Sequence, residues 1–234
     1  MPKYKRILLK LSGEAISGGQ NGILDFKFID RIAEVLKKCV NDGVEVAIIV
    51  GAGNIWRGAK GIGMDRPRAD SMGMLATIIN ALSLEDEFNR QGLPTVAMSA
   101  IEINEFVELY NANRAKKYLE SGKVVIIGGG TGDPYFTTDT AAALRAAELN
   151  VDAALMAKNI DGVYTADPKV DPTAVRYDEL TYSEIIDKQL HAIDLTAACF
   201  CMENHITTYA FELRDPENIY RAVNGEKVGT EIHN

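Results

Sequence analysis

Hydrophobic positions along the chain alternate between two patterns. Short, nearly continuous apolar runs rich in β-branched residues are typical of strands buried on both faces, and they cover residues 4–11, 44–50, 95–98, 123–127, 151–157 and 207–211. Between and after these runs, amphipathic or alanine-rich segments predict helices over residues 28–39, 72–89, 112–121, 138–149, 182–188, 194–204 and 217–224. In the second of these helices, the apolar repeat consists of Leu75, Ile79 and Leu82.

The strand–helix alternation predicts an α/β fold. Parallel strands need crossover connections, which are usually helical and cover both faces of the sheet. We therefore expect a three-layer α/β/α sandwich around a mostly parallel sheet. No linker or internal repeat interrupts residues 1–234, so we expect a single domain. Asp215 followed by Pro216 predicts the start of the last helix, with Asp215 as its N-cap.

Composition and charge narrow the class of protein. A chain of 234 residues with 47% hydrophobic and 25% charged residues is not a disordered protein. A net charge of −8 argues against nucleic acid or an anionic membrane as the main partner. No apolar run reaches the roughly 18 residues of a membrane span, and no leader pattern begins the chain, which predicts a cytoplasmic protein. Cys39, Cys199 and Cys201 cannot all pair and lack metal-ligand spacing, so we expect reduced core cysteines.

Three loops rich in glycine or small polar residues follow predicted strands. They span residues 10–14, 51–54 and 128–133. Glycine lets backbone N–H groups approach an anion, and a helix that begins after such a loop adds a positive partial charge. Because the carboxyl ends of parallel strands meet at one edge, the loops should converge on one crevice. Lys10, set among apolar neighbours, predicts a buried cation there, and Arg57 offers a planar donor fork suited to phosphate.

Two common nucleotide-binding motifs are excluded. The sequence G-x-x-x-x-G-K-[ST] of P-loop proteins does not occur. Gly51 and Gly53 match the start of a dinucleotide-binding fingerprint, but Trp56 occupies the position of its third glycine. A bulky indole there would prevent the close helix–strand packing on which that fold depends.

Several strings, taken in order along the chain, identify a family resemblance. They lie at residues 10–15, 53–58, 70–77, 131–139, 161–168 and 180–184, followed by 194–195. In this order and spacing they resemble the bacterial uridylate (UMP) kinases of the amino-acid kinase fold. The resemblance implies transfer of a phosphoryl group from MgATP to UMP, giving UDP and ADP. It also implies a cytoplasmic homohexamer that serves pyrimidine nucleotide biosynthesis.

The same resemblance implies roles for individual residues. Lys10 would be catalytic through its contact with the transferred phosphoryl group, and Asp194 would orient a lysine or cap its helix. The residues implied to bind ATP are Lys10, Leu11, Ser12, Gly13, Gly53, Arg57, Asn159, Tyr164 and Asp167. Those implied to bind UMP are Ala52, Asp70, Thr131, Gly132, Asp133, Pro134, Tyr135, Phe136, Thr137 and Thr138. Mg²⁺ would arrive with ATP, and no residue is assigned as a metal ligand.

Some positions depart from the family pattern or have a simpler interpretation. Ala52 replaces a usual glycine, and alanine does not easily adopt a positive φ. Asp133 replaces an asparagine, and a carboxylate only accepts hydrogen bonds, so discrimination between bases can differ. Asp70 could instead be the N-cap of the helix that starts at Met72. Tyr164 could be a half-buried strand aromatic after an ordinary turn.

Two other functions remain open at this stage. One is another kinase of the same fold, acting on acetylglutamate, aspartate or carbamate. The other is a non-catalytic protein that binds a nucleotide or an oxyanion.

The resemblance also raises regulation by nucleotides, with UTP as an inhibitor and GTP as an activator. GTP activation needs a separate site for a triphosphate near the helix over residues 72–89. Glu85, Asp86 and Glu87 place three carboxylates there, and their repulsion of a triphosphate predicts weak or absent GTP activation. The alternative is that these carboxylates form a solvated helix face.

Overall fold

Nine strands among the described residues form one sheet. The computed structural model describes residues 2–17, 22–56, 63–168, 170–190 and 193–234. The strands are β1 (Arg6–Leu11), β2 (Glu45–Val50), β3 (Thr95–Ser99), β4 (Glu108–Leu109), β5 (Val124–Gly128), β6 (Ala153–Lys158), β7 (Glu179–Thr181), β8 (Thr208–Glu212) and β9 (Gly229–His233). Their order is β4-β3-β5-β2-β1-β6-β8-β9-β7. The β8–β9 pair is antiparallel, and the other neighbouring strands run parallel.

Helices cover both faces of this sheet. They are α1 (Gly13–Ile16), α2 (Phe26–Asn41), α3 (Arg66–Arg90), α4 (Ala112–Glu120), α5 (Thr138–Leu149), α6 (Tyr182–Asp187), α7 (Leu195–Glu203) and α8 (Glu217–Val223). Helices α2, α3 and α8 pack into one hydrophobic core, and α4 to α7 pack into a second. The predicted three-layer sandwich around a mostly parallel sheet is confirmed.

Strand β1 shows how the sheet separates the two cores. Ile7, Leu9 and Leu11 belong to the core beneath α2, α3 and α8, whereas Leu8 belongs to the core on the other face. Successive side chains of a strand point to opposite faces, so a strand covered on both sides must be apolar throughout. Lys10 is the polar exception near the carboxyl end of this strand.

Helix α3 begins earlier than the sequence pattern predicts. Its N-cap is Asp65, whose side chain accepts a hydrogen bond from the backbone N–H of Arg68 at 3.3 Å. Pro67 stands in the first turn, a position that proline tolerates. Asp70 therefore lies inside the helix, and its interpretation as an N-cap is wrong.

The face of α3 that enters the core also differs from the predicted one. Leu75 and Ile79 are 46% and 52% exposed, and Leu82 is only partly buried. The buried face carries other residues, among them Ala81, Leu84 and Phe88. Both faces of this helix are apolar, so the spacing of its apolar residues alone does not identify the one that packs inward.

The far edge of the sheet contains strands that the apolar runs did not predict. Strands β7 and β9 extend it beyond β8. A signal for β9 was present, because the β-branched residues Val228, Thr230 and Ile232 occupy alternate positions. The last helix starts at Glu217 as expected, but its N-cap is Pro216 and not Asp215, which accepts a hydrogen bond from the Glu217 N–H at 3.2 Å.

The three carboxylates of α3 do not form a uniformly solvated face. Glu85 accepts a hydrogen bond at 2.9 Å from the backbone N–H of Ala97 in β3. Glu87 is buried and forms an ion pair with Arg90. Of the three, only Asp86 has a largely exposed side chain. The alternative of a solvated face is therefore wrong for Glu85 and Glu87.

The cysteines are free, and Cys39 and Cys201 are buried as expected. Burial raises the pKa of the Cys39 thiol to about 12, which makes that side chain unreactive at neutral pH. Cys199 is partly exposed. Within the described ranges, no helix has both the length and the apolar character that crossing a membrane requires.

The close pairing of β8 and β9 predicts a strong effect of Gly229→Ala. The new Cβ would overlap the Ala210 carbonyl oxygen and lie 2.8 Å from Phe211 Cβ. We expect a loss of about 1–3 kcal/mol in the free energy of unfolding, measured by urea denaturation, because the strands must separate. The control is Gly22→Ala, whose Cβ has its nearest neighbour at 3.7 Å. If the Gly229→Ala protein is as stable as this control, the described β8–β9 packing is incorrect.

Candidate functional site

A cavity of about 490 Å³ opens where the loops after β1, β2 and β5 meet. Helix α3 and the start of α5 complete its wall. The residues that the three loops contribute include Lys10, Ser12, Gly13, Gly51, Ala52, Gly53, Gly130, Thr131 and Asp133. The predicted convergence of the three loops on one crevice is confirmed.

The first two loops approach each other through glycine. A Cβ on Gly13 would lie 2.5 Å from the backbone nitrogen of Gly53, so only glycine permits this spacing. Asn54 and Asn80 fix the second loop through reciprocal amide hydrogen bonds of 2.9 and 2.8 Å. Asn80 also donates to the Gly51 carbonyl at 2.7 Å. The fully buried Asn80 therefore anchors this loop to α3.

Ala52 fits this loop without backbone strain. The non-glycine residues with positive φ in the described part of the chain are Tyr135, Asn150, Gln189 and His205. Ala52 is not among them, so the backbone at position 52 is not left-handed and does not require glycine.

A largely buried cluster of three charged side chains lies at one side of the cavity. Lys10 Nζ is 3.1 Å from Asp139 Oδ1, and Lys158 Nζ is 3.7 Å from Asp139 Oδ2. The side chain of Lys10 is only 13% exposed, which confirms the predicted buried cation. Asp139 and Lys158 were missed by the sequence analysis. Lys158 gave a signal, because it ends an apolar strand much as Lys10 does.

The cluster perturbs the ionisation of its members. Burial alone would raise the pKa of Asp139, but the ammonium groups of Lys10 and Lys158 outweigh it and lower that pKa. Burial lowers the pKa of Lys158, opposed by the attraction of Asp139 and reinforced by the repulsion of Lys10. With all three groups ionised, two positive charges and one negative charge leave the cluster with a net charge of +1. Such a site attracts a phosphate group.

Asp194 fulfils the capping role considered for it. It is the N-cap of α7, where it accepts from the Ala197 N–H at 2.9 Å. Its carboxylate also accepts from the hydroxyl groups of Thr137 and Thr140 at the start of α5. The carboxylate paired with Lys10 is that of Asp139, so the structure assigns the orientation of this lysine to Asp139.

A second cavity of about 620 Å³ lies beyond Lys158. Asn159, Tyr164 and Asp167 line it, together with Lys188. The Tyr164 hydroxyl donates to Asp161 Oδ1 at 2.8 Å, and this hydrogen bond raises the pKa of the phenol. Tyr164 also forms an isolated β-bridge with Arg176. Tyr164 is thus a partly buried aromatic residue in a β-bridge, and it also lines this cavity.

The ion pair of Lys158 with Asp139 lies between the two cavities. Lys158 lines the second cavity, and Asp139 lines the first. The charged cluster is therefore accessible from both sides. This arrangement allows one phosphorylated ligand in each cavity to direct its phosphate to the same cations.

Most of the predicted binding residues fall in these two cavities. The first is lined by the following residues of the implied UMP set: Ala52, Asp70, Thr131, Asp133, Phe136, Thr137 and Thr138. Gly132, Pro134 and Tyr135 belong to the same loop but do not line it. Leu11 is buried in the core, and its carbonyl accepts from the Gly51 N–H at 2.8 Å. Arg57 lies outside the described residues.

Comparison with known families agrees with this architecture. Residues 5–210 match the family model described as the amino acid kinase family. The chain belongs to the amino acid kinase family. The model match covers most of the chain, including the loops and both lysines of the charged cluster.

Solved structures of three proteins resemble the chain over almost its whole length. The UMP kinase from Bacillus anthracis has 37% sequence identity and a TM-score of 0.95, with 100% of this chain and 97% of that chain covered. The UMP kinase from Ureaplasma parvum has 40% identity and a TM-score of 0.93, with coverage of 99% and 100%. The uridylate kinase from Archaeoglobus fulgidus has 30% identity and a TM-score of 0.75, with coverage of 99% and 100%. The predicted resemblance to UMP kinases is confirmed.

The charged cluster predicts that Asp139→Asn is strongly destabilising. The substitution leaves Lys10 and Lys158 near each other without the carboxylate that compensates them. Removing one partner of a buried ion pair typically costs about 3–5 kcal/mol, and we expect a loss of that size in urea denaturation at pH 7. The matched control is Asp86→Asn, because the Asp86 side chain is 80% exposed. Equal stability of the two variants would contradict this account of the cluster.

The difference in the free energy of unfolding between the wild-type protein and Asp139→Asn should depend on pH, because the pKa of Asp139 is lowered. A carboxyl group with a lower pKa in the folded state stabilises the protein above its unfolded pKa of about 3.9. That contribution is lost as the pH falls through the folded-state value. On the acidic side of neutral pH, the stability gap between the wild-type protein and Asp139→Asn should therefore narrow only below about pH 4. A gap that narrows between pH 7 and pH 5 would contradict the assignment.

Proposed function

We propose that this protein is a UMP kinase that transfers the γ-phosphoryl group of MgATP to UMP, giving UDP and ADP. The observation that carries the proposal is the pair of cavities separated by the cluster of Lys10, Asp139 and Lys158. A cation site reached from two sides is what a reaction between two phosphate groups requires. Full-length similarity to UMP kinases supports the same reaction.

UMP occupies the first cavity in this proposal. Asp70 accepts a hydrogen bond from a ribose hydroxyl, while the loop over residues 131–138 surrounds the nucleotide. Helix α5 begins at Thr138, next to this loop, and its N-terminus favours a negatively charged phosphate. Ala52 offers its backbone N–H group in the loop that follows β2.

ATP lies with its base and ribose in the second cavity, near Asn159, Tyr164 and Asp167. Its phosphates extend past Lys158 to Lys10, to the loop of residues 11–13 and to Gly53, and Arg57 is the further contact that the family resemblance implies. Magnesium is part of the MgATP substrate, since Mg²⁺ binds largely through phosphate oxygens and water.

Catalysis then depends on position and charge. The phosphate of UMP is already anionic near neutral pH, so the reaction needs no general base on the protein. Lys10 and Lys158 stabilise the negative charge that spreads over the transferred group. Asp139 holds these lysines in place without neutralising both. Bringing the two reacting groups into line supplies the remaining rate enhancement.

The wider setting of the reaction is part of the same proposal. The enzyme acts in the cytoplasm in pyrimidine nucleotide biosynthesis, and it assembles as a homohexamer. The exposed side chains of Leu75 and Ile79 on α3 support self-association, because contiguous exposed apolar residues mark interaction surfaces. UTP inhibits by placing its uridine in the first cavity and its phosphates at the lysine cluster. GTP activates weakly or not at all.

Lys10→Met tests the catalytic role. Removal of one electrostatic donor to a transition state typically lowers the rate by about 10²–10³-fold, and we expect a loss of this size in coupled ADP release. Circular dichroism should show an unchanged fold. Lys5→Met is the matched control, because Lys5 precedes the same strand and is exposed. Activity of the Lys10→Met protein within about fivefold of the wild type would overturn the assignment of Lys10.

A substrate panel tests the proposed reaction itself. ADP release is measured with UMP, CMP, dUMP, acetylglutamate, aspartate and carbamate at equal ATP. We expect UMP to have the highest kcat/KM, since the wrong base leaves buried groups without partners at a cost of about 1–3 kcal/mol each. Rapid turnover of an amino acid or carbamate would identify another kinase of this fold. ATP binding without turnover of any acceptor would identify a non-catalytic binding protein.

A further inference from the structure

We propose that Arg66 is a positioning residue for UMP, because it fixes Asp70 and the loop of residues 131–138 in one arrangement. This inference rests on the proposed function. Arg66 Nε donates to Asp70 Oδ2 at 2.7 Å, and the Arg66 guanidinium carbon lies 5.5 Å from the centre of the Tyr135 ring. The backbone N–H of Tyr135 donates to the same Asp70 Oδ2 at 2.9 Å. We call these three residues the Arg66 clasp.

The clasp joins two separate elements across the mouth of the first cavity. Arg66 and Asp70 belong to the first two turns of α3, whereas Tyr135 belongs to the loop that leads from β5 to α5. Arg66 and Asp70 also line the cavity themselves. The clasp therefore holds the loop against the helix at the place where a nucleoside monophosphate would be enclosed.

The backbone of the loop needs such a support. Tyr135 has a φ of +72°, in the left-handed region that an aromatic residue rarely adopts. Its side chain is 63% exposed, so burial in a core does not hold it in place. The hydrogen bond to Asp70 and the cation–π contact with Arg66 are the interactions described for this residue. Strain of this kind persists where the surroundings determine the conformation, and it is common at ligand sites.

The clasp also sets the orientation of the Asp70 carboxylate. Within the described residues, the hydrogen bonds that this side chain accepts both fall on Oδ2. Oδ1 is then available to a donor inside the cavity. A ribose hydroxyl is such a donor, and a carboxylate with a fixed rotation presents its acceptor at one defined position. Arg66 thus acts on the substrate through Asp70, by restricting how that side chain can turn.

This role predicts effects on UMP rather than on the chemical step. Arg66→Ala should raise the KM for UMP about tenfold, the usual effect of losing a charge-assisted hydrogen bond, and leave kcat and the KM for ATP within about threefold. It should also narrow the discrimination between UMP and at least one of its 2′-deoxy and 3′-deoxy analogues. The Arg66 side chain is 48% exposed, so its removal should not unfold the protein.

The control is Arg68→Ala. Arg68 is an exposed arginine two residues further along the same helix and does not line the cavity, so its loss should leave all these constants near the wild-type values. Arg66→Gln also lacks the positive charge and should show the same rise in the KM for UMP as Arg66→Ala. It takes the place of Arg66→Ala in the test if the Arg66→Ala protein fails to fold.

Two results would overturn the proposal. One is a KM for UMP in Arg66→Ala within twofold of the wild type. The other is an equal loss of kcat/KM for UMP and for both deoxy analogues, which would mean that Arg66 attracts the phosphate directly. A wild-type enzyme that does not phosphorylate UMP at all would instead refute the proposed function. In that case Arg66 would still be expected to affect binding of UMP measured by calorimetry.

Discussion

A single, largely buried carboxylate between two ammonium groups determines how the site is built. Asp139 can meet both lysines because β1 and β6 are adjacent parallel strands, and Lys10 lies opposite Met156, two residues before Lys158. The two lysines thus lie on the same face of the sheet near the carboxyl ends of their strands, two positions apart in register, and the first turn of α5 brings the carboxylate to them. Charges are costly to bury without partners, so each of the three groups depends on the other two.

The position of α5 is secured at the same end by uncharged contacts. Thr137 is the N-cap of α5, and its hydroxyl accepts from the backbone N–H of Asp139 at 3.1 Å. The same hydroxyl donates to Asp194, the N-cap of α7. Two helix starts therefore support each other beside the charged cluster. The consequence is that Asp139 is held at a helix N-terminus, where the helix dipole also favours its negative charge.

The parts of this protein that could be predicted from sequence are those encoded locally. The buried strands, most helices and the glycine loops are recognisable because each depends on a short run of residues. The pairing of Asp139 with Lys10 and Lys158 is not local, since residues from three elements meet only in the folded sheet. Asp194 drew attention as the only acid in its segment, yet the carboxylate on Lys10 is Asp139. Family resemblance located the loops but not this network of charges.

Helix α3 shows why an apolar repeat can be interpreted on the wrong face. Residues two apart lie about 200° apart around a helix, so Thr77 points away from both Leu75 and Ile79. Thr77 lies on the side that packs inward, together with Leu84 and Phe88, and its hydroxyl donates to the Met74 carbonyl. The opposite side, with Leu75 and Ile79, is exposed. That inward side must also form the cavity wall, so it includes small and polar residues in place of some large apolar ones. The more regular apolar pattern therefore falls on the outer side, where the surface is exposed.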